Sequence, residues 1–320
     1  MTQPAAAPQR FPDFIIGGAP KCGTTSIHFI LKQNPDIGIP DEEIHFFDAD
    51  DPVSHPDFLF TDGPKLNWFD PRPHHDPSVS WYNSRFSHFA AAKRIGEDST
   101  TYLFSDVAPA RIKAMLPEVR LIFMLRDPVK RAYSQYWHMI RSSRATCSFE
   151  QAIIQHPSIM LGSTYTPNLE RYLKVFGEEQ VKVAVFEDFL ADQQAFMDDM
   201  TDFIGADRMS LDSAETWFNR TYYPSNPQWQ QWQNKVGQWI VRGRYRNHMG
   251  QRSGWQERFH NKLHYRWFRY VNPILLTAEK PPKMRGDTRT YLEQHFSARN
   301  QGLSALLDRD MSQVWQGFTG

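Results

Sequence analysis

One stretch, Gly17-Gly18-Ala19-Pro20-Lys21-Cys22-Gly23-Thr24-Thr25-Ser26, constrains this chain more than any other. It follows the apolar run Phe14-Ile15-Ile16 and precedes Ile27, Phe29, Ile30 and Leu31, which recur at helical spacing. That order predicts a strand, a glycine-rich loop and a helix start. Such a loop aims backbone N–H groups and the positive end of a helix dipole at one point, which suits a phosphate. A Walker loop reads G-x-x-x-x-G-K-[ST]. Gly18 and Gly23 keep its spacing, but Thr24 stands where the lysine belongs, and Lys21 lies two residues before the second glycine. A lysine there points differently, which weighs against a β/γ-phosphate clamp with Mg²⁺. The bland alternative is a strand–turn–helix with no ligand.

A second segment weakens that alternative. Val119-Arg120-Leu121-Ile122-Phe123-Met124-Leu125 is apolar and β-branched, bounded by Pro117 and by Asp127-Pro128. It predicts a buried strand. Asp127 is then a candidate N-cap and Pro128 the first residue of a helix through Tyr133, Tyr136, Trp137 and Ile140. Arg126 falls at the C-terminal end of the strand, where open α/β sheets bind ligands. Ser134, eight residues on, sits two turns into the helix and can face back toward that end.

Pro20-Lys21-Cys22-Gly23-Thr24-Thr25-Ser26 resembles the 5′-phosphosulfate loop, P-K-x-G-T-[ST]-x, of sulfotransferases that use 3′-phosphoadenosine 5′-phosphosulfate (PAPS). Arg126-Asp127-Pro128 with Ser134 resembles the same family's 3′-phosphate site. The resemblance implies that Lys21, Cys22, Gly23, Thr24, Thr25 and Ser26 hold the 5′ end of PAPS, and that Arg126 and Ser134 hold its 3′-phosphate. An arginine fork suits phosphate geometry. A surface ion pair with Asp127 or Glu118 is the plain alternative for Arg126.

Glu43-Ile44-His45-Phe46-Phe47-Asp48 resembles the E-V-H-F-F-D segment of the heparan-sulfate O-sulfotransferase branch. The resemblance implies that Glu43 is the catalytic base, His45 a helper or the base itself, and Asp48 a supporting carboxylate at the acceptor. A hydroxyl is a poor nucleophile until a base takes its proton, so the residue types fit the chemistry. In an extended segment Glu43 and His45 face one side, with Ile44 and Phe46 toward a core. Phe46 and Phe47 read as anchors. Trp81-Tyr82 followed by Phe86 resembles the family's W-Y-x-x-x-F at the acceptor cleft, which implies substrate contacts by Trp81 and Tyr82. One departure concerns Gly96-Glu97-Asp98-Ser99-Thr100-Thr101-Tyr102, where the family reads E-K-[ST]-x-x-Y. Asp98 replaces a lysine near the acceptor, so Asp98 is expected either to contact amines or hydroxyls of the acceptor or to be exposed.

Lys plus Arg and Asp plus Glu are equal, 36 each in 320 residues, so no global field points to nucleic acid or membrane. Two cysteines, Cys22 and Cys147, make no disulfide framework. No apolar window is long enough to span a bilayer, and residues 1–13 lack a secretory pattern, so a soluble cytoplasmic protein is expected. Strand and helix patterns alternate through Ile112, through Val181–Glu187 and through Phe196–Gly205. They predict an α/β, P-loop-like three-layer fold with a central parallel sheet flanked by helices. We expect one sulfotransferase domain over 1–320, with 1–10 a flexible arm and 219–278 an inserted helical cap or acceptor lid, basic and aromatic. In a cap the aromatics would pack on the core; lipid, sugar and nucleic acid are the other occupants of such a composition, and the neutral chain argues against the last. Lys280–Gly286 loosely resembles the family's basic loop over the 3′-phosphate and adenine, which implies ligand contacts by Lys283 and Arg285. His74-His75-Asp76 lacks a regularly spaced further ligand, so no metal site is expected.

The function expected from these motifs is in-line sulfuryl transfer from PAPS to a hydroxyl or amine of a glycan or small molecule, without a metal. Adenosine 3′,5′-bisphosphate leaves. A P-loop kinase, a sulfotransferase for a natural-product alcohol, and a non-catalytic binding protein are the alternatives.

Overall fold

The computed structural model describes residues 10–68, 78–211, 222–245 and 254–320, so His74-His75-Asp76 lies outside the described residues. The chain divides into two compact units. The first comprises residues 1–48, 71–126 and 165–218; the second comprises 49–70, 127–164 and 219–320.

A five-stranded parallel sheet organises the first unit. Its order is Ile37–Gly38, Arg94–Asp98, Phe14–Gly18, Arg120–Leu125, Val181–Val185. Every pairing is parallel, as the alternating strand and helix patterns predict. Phe14, Ile15 and Ile16 are wholly buried, and so are Leu121 to Leu125, because helices cover both faces. The Phe14–Gly18 strand sits centrally. From it the chain moves outward to Ile37–Gly38, returns as Arg94–Asp98, and crosses to the other side with Arg120–Leu125. That reversal of direction opens a crevice at the C-terminal ends of the strands. The Gln193–Ile204 helix ends on Gly205 in the left-handed region, φ 78°, as a C-cap glycine should.

The second unit is mainly helical. Asp127 caps the Pro128–Arg141 helix, accepting from the Val129 and Lys130 amides, and Pro128 is its first residue. Tyr136, Trp137, Met139 and Ile140 of that helix pack with Phe149, Ile159, Leu292 and Phe296 in one apolar cluster. Ser134 is half-buried on the same helix. Arg131 is fully buried, donating to Ser163 Oγ (2.5 Å) and the Ile159 carbonyl. The basic, aromatic segment forms the helices Pro227–Tyr245 and Gly254–Arg266. Its aromatics divide: Trp267 is buried and donates to Ser143 Oγ (3.1 Å), while Trp229, Trp232, Trp239 and Trp255 are exposed. No helix among the described residues is long and apolar enough to cross a membrane.

Candidate active site

The strand–loop–helix of the sequence forms as expected, with a strand at Phe14–Gly18 and a helix at Thr24–Gln33. The loop is tied to its neighbour strand by the Ala19 amide, which donates to the Met124 carbonyl (2.9 Å). Gly23 closes the loop at φ 90°, and a Cβ there would come within 2.5 Å of the Phe186 ring. Both the dihedral and the space therefore require glycine. The helix has neither a side-chain cap nor an acidic residue in its first turn. Its leading amides and dipole are thus not neutralised from within the helix, the condition for receiving an anion. Cys22 is buried, with Sγ 3.9 Å from the Tyr165 hydroxyl. Thr24 is buried, Ser26 half-buried and Thr25 exposed.

Arg126 follows the adjacent strand and bends toward the loop. Its Nη1 donates to the Lys21 carbonyl (3.2 Å), and its guanidinium lies 5.1 Å from the centre of the Phe186 ring. The Tyr165 hydroxyl donates to the Arg126 carbonyl (2.7 Å). One ring, Phe186, therefore supports both Gly23 and Arg126.

Glu43 and His45 meet, although not in the extended segment predicted. His45 has φ 54°, and its Nε2 lies 3.0 Å from Glu43 Oε2. Three successive hydroxyls after the Arg94–Asp98 strand build the rest. Thr100 Oγ1 donates to Glu43 Oε1 (2.9 Å), Ser99 Oγ accepts the His45 amide (2.9 Å), and Thr101 Oγ1 lies 3.1 Å from His45 Nδ1. Thr101 spends its single proton on Asp48 Oδ2 (2.5 Å), so toward His45 it accepts. Both ring nitrogens of His45 thus face acceptors, Thr101 on one side and Glu43 on the other, an arrangement that favours the protonated ring. Burial pushes the His45 pKa down, but the Glu43 hydrogen bond and the charges of Glu43, Asp48 and Glu97 outweigh it and raise the value above the ordinary 6.5. The Glu43 side chain stays 42% exposed against 12% for His45.

Two consecutive acids on the Arg94–Asp98 strand differ. Glu97 is fully buried, accepting from Tyr82 (2.5 Å), Tyr102 (2.6 Å) and Ser99 (2.7 Å). Burial raises its pKa against the pull of those three hydroxyls. Asp98 is also buried, with Oδ2 3.1 Å from His28 Nδ1, while Asp98 Oδ1 and His28 Nε2 have no hydrogen-bond partner among the described residues. Burial lifts Asp98 to about 6, with the Glu43 charge adding to the rise and His28 opposing it.

These contacts correct three expectations. Asp98 is neither exposed nor a free acceptor contact, because the first helix presents His28 to it. Tyr82 is fully buried, stacked on Phe46 at 4.4 Å with its hydroxyl on Glu97, so it props the base segment from behind. Asp48 is fully buried and serves Thr101. Trp81 remains half-buried, 6.4 Å from Phe46, with Arg85 over its ring. In the second unit Lys283 and Arg285 are exposed, and Arg285 pairs with Asp287 (2.8 Å). His28 and the hydroxyls of Ser99, Thr100 and Thr101 were missed by sequence reasoning. The run of three hydroxyls directly after a strand end was the available signal.

Comparison with known proteins accords with this geometry. The family model described as "Sulfotransferase family" matches residues 12–210, more than half of the chain. Human heparan sulfate glucosamine 3-O-sulfotransferase 3B1 is 26% identical over 222 residues, covering 67% of this chain and 50% of its own length. Human bifunctional heparan sulfate N-deacetylase/N-sulfotransferase 2 is 26% identical over 219 residues, 61% of this chain and 22% of its own. The chain thus spans half or less of these curated relatives. The crystal structure of a sulfotransferase from Alicyclobacillus acidocaldarius matches with TM-score 0.59 and 27% identity, over 95% of this chain and 98% of that one. The chain belongs to the sulfotransferase family.

Proposed function

We propose, from that membership, that the chain transfers a sulfuryl group from PAPS to a hydroxyl or amine of a carbohydrate or glycoconjugate, with Glu43 as base. The observation that carries this reading is the Glu43 carboxylate, partly open to solvent, held by the Thr100 hydroxyl and the His45 ring. The acceptor oxygen attacks sulfur as its proton passes to Glu43. The bond from sulfur to the 5′-phosphate oxygen breaks in line, and adenosine 3′,5′-bisphosphate leaves. Lys21 and the leading amides of the first helix stabilise the charge that grows on the leaving oxygen. An imidazolium is a poor base, so His45 fits the role of steadying Glu43 and the sulfuryl oxygens. Arg126 reads the 3′-phosphate; the assignments of Ser134, Lys283 and Arg285 rest on sequence spacing alone. No metal enters this scheme, and the reaction is placed in the cytoplasm.

The heparan-acting relatives support a glycan acceptor. The absence at position 98 of the lysine that the resembled branch has near its acceptor supports one with less negative charge than a heavily sulfated polysaccharide. Thermal shifts with adenosine 3′,5′-bisphosphate and with ATP test the donor. Selective stabilisation by the bisphosphate is expected; preference for ATP would overturn the assignment in favour of a kinase. Labelled PAPS offered with a panel of glycans and aromatic alcohols then tests the acceptor.

A further inference from the structure

We propose that the helices Pro227–Tyr245 and Gly254–Arg266 form a docking surface for an anionic lipid bilayer, independently of the reaction above. At 100° per residue Trp229, Trp232, Val236 and Trp239 share one face of the first helix, and they are 53–65% exposed. The opposite face is the buried one, and it is partly polar: Gln230 and Asn234 are fully buried beside Val241.

This inside-out arrangement is fixed by hydrogen bonds. Gln230 Nε2 donates to Asn234 Oδ1 (3.0 Å) and Asn272 Oδ1 (2.9 Å). Asn234 Nδ2 donates to the carbonyls of Ile140 (2.7 Å) and Ala145 (2.8 Å), and Asn272 Nδ2 to that of Arg141 (2.8 Å). Turning the helix to bury its tryptophans would break the amide contacts of Gln230, Asn234 and Asn272 and orphan the carbonyls of Ile140 and Ala145. The tryptophan face is therefore held outward by the packing of the helix itself.

The surroundings of that face select the occupant. Lys235 and Arg242 run along one flank of it, both exposed. The next helix exposes Trp255, Phe259 and Tyr265 among Arg258, Lys262 and Arg266. Among described residues 222–245 and 254–278, Glu257 is the one acid, in a chain that is neutral as a whole. Tryptophan beside lysine and arginine on a helix face matches the boundary between headgroups and acyl chains, with the cations against anionic lipid. Gln230 and Asn234, the two amides held by hydrogen bonds on the buried side, offer a sugar nothing at this face. A two-fold dimer through this face would set like charges against each other.

The experiment is co-sedimentation of the full chain with phosphatidylcholine vesicles and with vesicles that also contain phosphatidylglycerol. Binding to the anionic vesicles alone is expected, weakened by salt, with a blue shift of tryptophan emission. The combined W229Q, W232Q and W239Q variant should bind at least about tenfold more weakly. Its substitutions are at exposed positions, and an unchanged melting temperature verifies the fold. A K235E/R242E variant should lose anionic selectivity. The proposal is overturned if neither vesicle binds, if the triple variant binds like the parent, or if the parent forms a dimer that the triple variant abolishes.

Discussion

Glu43 and Glu97 are the same side chain, placed near the end of the same sheet and contacted by the same run of hydroxyls, yet they are prepared for different work. Glu97 accepts three hydrogen bonds and is shut from solvent. Glu43 receives Thr100 and His45 and still opens to solvent. Ser99, Thr100 and Thr101 distribute their hydroxyls between the two networks. A carboxylate becomes a structural post when it is hydrogen-bonded and shut from solvent, and stays available for chemistry when part of it remains exposed.

The largest expected effect is on turnover. Glu43→Ala should slow sulfuryl transfer by about 10²–10⁴-fold, with nucleotide affinity and melting temperature nearly those of the parent. If turnover survives there and collapses in His45→Ala, His45 is the base and the contrast between the two glutamates fails. Glu97→Ala should do the reverse, destabilising the fold by about 3 kcal/mol because the Tyr82 and Tyr102 hydroxyls lose their buried acceptor. Chemical denaturation measures that loss; an unaltered midpoint would show that Glu97 is no post.

Affinity comes next. Arg126→Ala should weaken adenosine 3′,5′-bisphosphate by about 1.5–3 kcal/mol while sparing adenosine 5′-monophosphate, since one of the two ligands carries the contacted phosphate. Ser134→Ala should share the selectivity with a smaller loss. Equal losses for both nucleotides in calorimetric titration would place Arg126 at the 5′ end or in the fold.

The smallest effects are those of pH. The raised His45 pKa means that its stabilising contribution is complete below 6.5 and is lost as pH rises through the higher folded value. Turnover that uses the imidazolium should fall over the same alkaline window, and His45→Gln should flatten that limb of the profile. Asp98 has a raised value of about 6 against 3.8, so its contribution is complete below 3.8 and fades as pH rises through 6. Asp98→Asn should remove that component from melting curves taken between pH 4 and 7; an unchanged slope would mean that Asp98 titrates normally.

The sheet, the Gly23 loop, the Asp127–Pro128 cap and the pairing of Glu43 with His45 were legible in the sequence, because each rests on local spacing or on a short motif. The placement of Tyr82, Asp48 and Asp98 was not. Their partners arrive from distant positions: His28 reaches Asp98 across 70 residues, and nothing periodic marks that pair. The helix Pro227–Tyr245 misleads for a related reason. Gln230 and Asn234 look like a wet face and the tryptophans like a dry one, until the carbonyls of Ile140 and Ala145 claim the amides.

Phe186 carries a consequence of its own. One benzyl ring abuts the Gly23 backbone on one side and the Arg126 guanidinium on the other. The grips proposed for the two ends of the nucleotide therefore share a single bearing. Loosening at either end is expected to reach the other, so that a donor would be gauged by its length between two phosphates as well as by each phosphate in turn. A nucleotide lacking one of them would leave the remaining grip slack, and energies measured for Lys21 and Arg126 separately should fail to add.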